Sequence, residues 1–294
     1  MKYIKSVILH LLRVLPISDK LFLEMLYYVE MGKKLDLNNP TTMNEKLQWL
    51  KLYNRNPLYV TIVDKLKVKD YIREKIGDEY IVKTLGVWET PDDIDFNILP
   101  GKFVLKTNHS GGNTGVVICK DKNIFDFNSA KIKLEKSLKS DIYKNYREWP
   151  YKDVDKKIFA EELLEDKGGG ELVDYKFYCF NGYVDSVMLC IDRQIGSSKF
   201  YFFDRDWNLR RYNKRGKEAP SDFTLPKPCN MDKMFEMASE LSKGIPFVRV
   251  DLYNVNDKIY FGEMTFFPAS GLDCNRLPET DLYFGNMINL NMCR

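Results

Sequence analysis

Phe247-Val248-Arg249-Val250-Asp251-Leu252 and Ile259-Tyr260-Phe261-Gly262-Glu263-Met264-Thr265-Phe266 are two apolar, β-prone runs separated by Asn254-Val255-Asn256-Asp257. Alternation puts Val248, Val250 and Leu252 on one face of the first strand, and Arg249 and Asp251 on the other. The connector has turn chemistry, so the second strand returns with Glu263 and Thr265 on a common face. An arginine and two carboxylates are therefore expected side by side. Hard oxygen ligands with no His or Cys close by favour magnesium, completed by substrate phosphates, over zinc. Taken alone, the segment reads equally well as a hairpin whose polar face is solvated.

A magnesium-nucleotide site also needs groups that hold phosphates and neutralise developing charge. Phe103-Val104-Leu105-Lys106-Thr107 reads as a buried strand ending in a single lysine. Asn108-His109-Ser110-Gly111-Gly112-Asn113-Thr114 is a small, Gly-rich loop, and Gly115-Val116-Val117-Ile118-Cys119 resumes strand character. Such a loop can aim backbone N–H groups at phosphate oxygens. It is not a P-loop, because the Gly-Lys-Ser/Thr ending and the following helix are missing. A plain hairpin turn is its simpler reading. Downstream, Ile158-Phe159-Ala160-Glu161-Glu162-Leu163-Leu164-Glu165-Asp166 reads as a strand entering a hinge, followed by Gly168-Gly169-Gly170. Leu172-Val173-Asp174-Tyr175-Lys176-Phe177-Tyr178 then places Asp174 and Lys176 on one face of another strand. For the acids alone, a solvated edge is the simpler reading.

In this order, with a lysine strand, a glycine loop, an acidic hinge, an Arg-x-Asp strand and a Glu strand, the chain resembles the ATP-grasp superfamily. More narrowly, it is similar to the ATP-grasp family related to teichuronopeptide biosynthesis. That bacterial family is found with surface and capsular polysaccharide genes and is often labelled glycosyltransferase. The resemblance extends through Thr42 to Tyr53, Asn56-Pro57-Leu58-Tyr59, Asp64-Lys65 to Tyr71, Leu85-Gly86-Val87-Trp88, Phe103 to Asn113, Asp174 to Gly182 and Phe247 to Gly271. It implies an α+β fold in which two lobes with antiparallel sheets clasp ATP, preceded by a helical N-terminal region. The division expected is 1–64 for that helical region and 65–294 for the ATP-grasp domain. Within the latter, 65–157 holds the lysine strand and glycine loop and 158–294 forms the metal-binding lobe.

The resemblance further implies a carboxylate–amine ligase that works through an acyl phosphate, with ATP and two Mg²⁺ ions. Its substrates would be a carboxylated sugar or glycan and an amine or amino acid. Carried over by position, Asp251 and Glu263 bind magnesium. Thr265 stands where asparagine is common in the superfamily and offers a hydroxyl instead. Lys65 and Lys106 contact phosphates, and His109, Ser110, Gly111, Gly112 and Asn113 close over them. Glu161, Glu162, Leu163 and Leu164 face the adenine, and Asp174 the ribose. Lys176, Arg193 and Arg249 are the candidates for stabilising charge on the transferring phosphoryl group and the acyl phosphate. For Arg193, an ordinary surface ion pair is an equal reading.

Composition limits the alternatives. The 294 residues suffice for a substantial core. A net charge of +3, from 45 basic and 42 acidic residues, gives no case for a nucleic-acid partner. Six cysteines without a C-x-x-C pair, and two histidines, argue against zinc and for reduced thiols in a cytosol. Residues 1–15 carry Lys2, Lys5 and Arg13 around apolar residues. They are too short to span a bilayer and lack a signal-peptide cleavage site. A packed amphipathic helix is the first reading, and weak association with the inner membrane surface the sharper one.

Helices are expected from Ser18-Asp19 to Met31, from the Thr42-Met43-Asn44-Glu45 capping box onward, and over 65–76, 129–140 and 232–243. A strand is expected over 200–207. Two other functions compete. Asp204-Arg205-Asp206 fits the Asp-x-Asp spacing of a metal-dependent glycosyltransferase, but no βαβ nucleotide-sugar pattern surrounds it. A non-catalytic glycan- or nucleotide-binding protein is the third reading. The joint presence of Lys106, Arg249, Asp251 and Glu263 argues against it.

Overall fold

A computed structural model describes residues 2–112, 114–169, 172–192 and 198–293. Asn113 and Arg193, both singled out above, lie outside the described residues. The chain opens with helices α1 (Lys2–Val14), α2 (Asp19–Met31), α3 (Met43–Tyr53), α4 (Leu58–Val63) and α5 (Val68–Lys75). Strands β1 (Thr84–Trp88), β2 (Phe103–Thr107) and β3 (Val116–Cys119) precede α6 (Phe127–Leu138), α7 (Ile142–Tyr146) and β4 (Ile158–Glu162). Then come β5 (Asp174–Phe180), β6 (Tyr183–Ile191), β7 (Lys199–Phe203), β8 (Leu209–Arg210), α8 (Lys214–Glu218) and α9 (Met231–Ser242). The chain finishes with β9 (Val248–Val255), β10 (Lys258–Thr265) and α10 (Pro278–Met287). Among the described residues the strands form two antiparallel sheets, a small one ordered β1-β4-β2-β3 and a large one ordered β10-β9-β5-β6-β7-β8.

Helix starts follow their capping chemistry. The Ser18 side chain accepts from the Leu21 N–H and Gly32 closes α2 in a left-handed conformation. Thr42 and Glu45 form the expected capping box. The helix expected over 65–76 is shorter, because the Asp64 carboxylate accepts from the Leu66 and Lys67 N–H groups and holds a turn before α5. The strand expected over 200–207 stops at Phe203, where Asp204 and Asn208 close a turn. The short helix α4 had no sequence signal of its own, since six residues are too few for a helical period to show.

Three cores hold the elements together. The large one packs α9, through Met234, Phe235, Ala238 and Leu241, under β5, β6 and β9, with the Phe177 and Phe235 rings 5.1 Å apart. Met43, Leu47, Leu50, Tyr59 and Ile62 belong to this same core, which thus continues across residue 64. A second core joins α6 to the small sheet through Leu134, Phe103, Leu105 and Ile158. The third lies around α1 and α2, through Leu12, Phe22, Leu23 and Leu26. Among the described residues no helix is long and apolar enough to cross a membrane.

Candidate active site

The β9–β10 hairpin turns at Asn256 and Asp257, with φ of 52° and 62°, a pair of left-handed residues that matches strand twist. A bulge between Phe261 and Glu263 then resets the register, so that Glu263 faces Asp251 and Thr265 faces Arg249. Gly262 makes the bulge feasible, because a Cβ there would sit 2.9 Å from the Asp251 carbonyl oxygen. On the other side of β9, Lys176 of β5 pairs with Asp251 and Tyr178 with Arg249. The polar faces of three adjacent strands thereby become one charged patch.

Within the patch, Arg249 donates from Nε and Nη2 to both Asp251 oxygens at 2.6 and 2.7 Å. Its Nη2 also reaches Glu263 Oε1 and Thr265 Oγ1, each at 3.1 Å. Lys176 Nζ lies 2.7 Å from Asp174 and 2.5 Å from Asp251. Burial alone would raise the Glu263 carboxyl, but Lys65, Arg249 and Lys176 hold it at about 2. Burial pushes the Asp251 carboxyl up, against the pull of Arg249 and Lys176. Burial works against the Arg249 cation, yet Asp251 and Glu263 keep it firmly protonated.

The small sheet supplies the opposite wall. Lys106 Nζ is 2.6 Å from Glu161 Oε2, and Lys69 Nζ is 2.5 Å from Oε1 of the same carboxylate. Burial would raise Glu161, but Lys106 and Lys69 keep it below the usual carboxylate range. Lys65 bridges the walls, donating to the Ser110 carbonyl at 2.5 Å and standing 3.6 Å from Glu263. Between the walls runs a cleft of about 1450 Å³, lined by Lys65, Lys69, Lys106, Glu161, Lys176, Arg249, Asp251 and Glu263 among others.

Ser110, Gly111 and Gly112 line this cleft, as do Leu163, Leu164, Asp174 and Thr265. Glu162 reaches it only from a half-exposed rim, 3.8 Å from Lys83. His109 departs from expectation. It is buried away from the cleft lining, with Nε2 against the Ser137 carbonyl at 3.2 Å. Burial, helped by Lys156, lowers its pKa to about 4. The Asp204-Arg205-Asp206 motif is also outside the cleft lining. Asp204 accepts from the Asn208 N–H at 2.8 Å, which is turn-building work.

Sequence reasoning missed Lys69, Glu148, Tyr151, Ser270 and Arg276, all of which line the cleft. Lys69 falls inside the Asp64-to-Tyr71 stretch, so a signal for it existed. Ser270 likewise falls inside the Phe247-to-Gly271 stretch, whereas Glu148, Tyr151 and Arg276 carry no local pattern.

The donor set fits magnesium. Among the described residues no three His, Cys, Asp or Glu side chains form a ready metal cage. Magnesium does not need one, since it is held by one or two carboxylates together with substrate phosphates and water. Asp251 and Glu263 face each other on adjacent strands, a placement that fits this requirement.

No curated protein matches the sequence. Solved structures similar to it include a D-alanine–D-alanine ligase from Bacillus anthracis complexed with ATP, at 14% identity over 79% of this chain and 65% of that one, with a TM-score of 0.45. An L-amino acid ligase from Bacillus licheniformis matches at 14% identity over 78% of this chain and 50% of that one, with a TM-score of 0.45. The ATP-grasp ligase PsnB complexed with a minimal precursor matches at 12% identity over 76% and 59%, with a TM-score of 0.40. The chain thus spans between half and two thirds of the length of these three proteins. The TupA-like ATPgrasp family, in contrast, matches residues 45–289, from inside α3 to beyond α10. With a match over most of its length, the chain belongs to the TupA-like ATP-grasp family.

Proposed function

We propose that this protein is an ATP-dependent carboxylate–amine ligase. The observation that carries the reading is the cleft itself. Arg249, Asp251, Glu263 and Lys176 from one sheet face it together with Lys65, Lys69 and Lys106 from the other wall. Phosphoryl transfer asks a protein mainly for positioning and charge stabilisation, and this arrangement offers both. Asp251 and Glu263 would hold magnesium, with Thr265 beside them, and the metal would neutralise charge on the β- and γ-phosphates.

In the reaction, a substrate carboxylate oxygen bonds to the γ-phosphorus and the bond from that phosphorus to the β–γ bridging oxygen breaks. ADP leaves with the electron pair. The amine nitrogen then bonds to the acyl carbon, phosphate departs with the C–O electrons, and the nitrogen gives up a proton. Arg249 and Lys176 would stabilise the transferring phosphoryl group and acyl phosphate, while Lys65, Lys106 and the Ser110–Gly112 loop hold the triphosphate. Leu163 and Leu164 would flank the adenine, and Asp174 the ribose. Arg193 and Asn113 remain candidates from sequence.

The resemblance to a surface-polysaccharide family supports a carboxylated sugar as acyl donor and an amino acid or other amine as acceptor. Dependence on ATP supports a cytoplasmic site of action. Exposed Val7, Ile8, Leu11, Val14 and Leu15 on and just after α1 support weak contact with the inner membrane surface. Sedimentation with anionic vesicles that is unaffected by Leu11→Glu would remove that contact from the proposal. The ligase reading is tested by ADP and phosphate release from Mg-ATP with paired uronic acids and amino acids. ADP formation that needs both partners, and drops roughly 10²–10³-fold in Asp251→Asn, is expected. Consumption of a nucleotide sugar with no use of ATP would overturn it.

A further inference from the structure

After Thr265 the chain does not leave the cleft. Phe267, Pro268, Ala269 and Ser270 continue along its wall, beside Arg249, Glu148 and Tyr151. The backbone there is unusual. Ala269 and Ser270 have φ/ψ of 49°/27° and 54°/27°, and Gly271 follows with φ of 65°. Consecutive left-handed residues that are not glycine do not persist unless their surroundings hold them.

The surroundings come from α3, more than two hundred positions away in sequence. Gln48 Nε2 donates to the carbonyls of Ser270 and Gly271 at 2.9 and 2.8 Å. Lys51 Nζ donates to the Ser270 carbonyl at 2.9 Å, to the Tyr146 carbonyl at 3.0 Å and to Gln48 Oε1 at 3.1 Å. Both side chains are fully buried. On the cleft side, Ser270 Oγ donates to Glu148 Oε1 at 2.6 Å. A Cβ on Gly271 would lie 2.6 Å from Gln48 Nε2, so helix and turn meet with no space to spare.

We propose that Lys51 and Gln48 are positioning residues that clamp the left-handed turn Ala269–Gly271 and thereby set the cleft wall beyond Thr265, beside which the carboxylate and amine substrates bind. This rests on the ligase reading for its kinetic consequence, but not for its structural one. Neither residue is among those that line the cleft. They act through the turn, which follows directly from the strand that carries Glu263 and Thr265. Burial lowers the Lys51 ammonium to about 8, with Glu148 opposing.

The test compares Lys51→Met with Lys51→Met/Ala269→Gly. Glycine takes positive φ without steric cost, so it should restore a turn whose only loss is its clamp. Lys51→Met is expected to lose roughly 10- to 100-fold in acceptor-dependent ADP formation. The loss should appear in kcat and in KM for the carboxylate or amine, with Mg-ATP affinity within about twofold of the parent. The double variant should regain most of the activity, and crystal structures should show Ala269 or Ser270 leaving positive φ in the single variant alone. A purely structural role would lower Tm and activity together, without rescue by Ala269→Gly and with the turn unchanged, and that result overturns the proposal. If the parent makes no ADP with any pair, the ligase reading fails, and the crystallographic comparison alone decides the clamp. Gln48→Met, which removes two donors but no buried charge, replaces Lys51→Met should that variant not fold.

Discussion

Asp251 meets Arg249 through both its oxygens and Lys176 through one of them, so it sits in a nearly neutral cluster rather than in a naked acidic pocket. Breaking a buried ion pair from one side costs about 3–5 kcal/mol. Asp251→Asn keeps the shape but removes the charge and sets an amide NH2 against Arg249 or Lys176, so its unfolding midpoint is measured beside its ADP formation. His109 offers a cleaner measure of burial. Its pKa lies near 4 in the folded protein and near 6.5 when unfolded. The unfolded chain therefore takes up the proton first, and stability falls as pH drops from about 6.5 towards 4. Denaturant midpoints measured across that window should fall less for His109→Asn than for the parent. Equal pH dependence would mean that His109 is not held neutral.

The β9–β10 hairpin was readable because its information is local. Alternation named the faces, and Asn256-Asp257 named the turn. The turn also ties down the hinge between the sheets, since Asn256 accepts from the Lys167 N–H at 2.9 Å and donates to the Glu165 carbonyl at 3.1 Å. Asp257 needs positive φ, so Asp257→Gly should be neutral or slightly stabilising, whereas Asp257→Val should cost about 1–2 kcal/mol. Chemical denaturation of the two variants checks this, and equal stability would argue against a left-handed turn. The Gly-rich loop was also readable as a loop, but not His109 within it. A polar residue in a glycine loop looks exposed, and only the packing of α6 over it turns the ring inward.

At the level of the fold, α3 and α10 make the N-terminal helices part of the scaffold that holds the cleft. Asn44 donates from its backbone and its Nδ2 to the two Asp281 oxygens at 3.1 Å, and Arg276 Nη1 donates to Asp281 Oδ1 at 2.9 Å. The helices approach so closely that a Cβ on Gly285 would lie 2.0 Å from the Thr41 carbonyl oxygen. Gly285→Ala should therefore cost about 1–3 kcal/mol or more. It should also weaken ADP formation, because shifting α3 shifts Gln48 and Lys51 against the turn. Full activity and unchanged unfolding would show that the contact yields without strain.

By itself, the sequence determined the helix caps, the hairpin, the face that carries Arg249, Asp251, Glu263 and Thr265, and the family. Each of these is written in neighbours a few positions apart, or in an ordered series of such motifs. Only the tertiary structure decided that β5 lies between β9 and β6, which brings Lys176 to Asp251. It alone buried His109 and made Lys51 a partner of Ser270, 219 positions along the chain. Burial and long-range pairing are settled by how whole elements pack, and a lysine on a helix carries no local mark of the carbonyls it will meet.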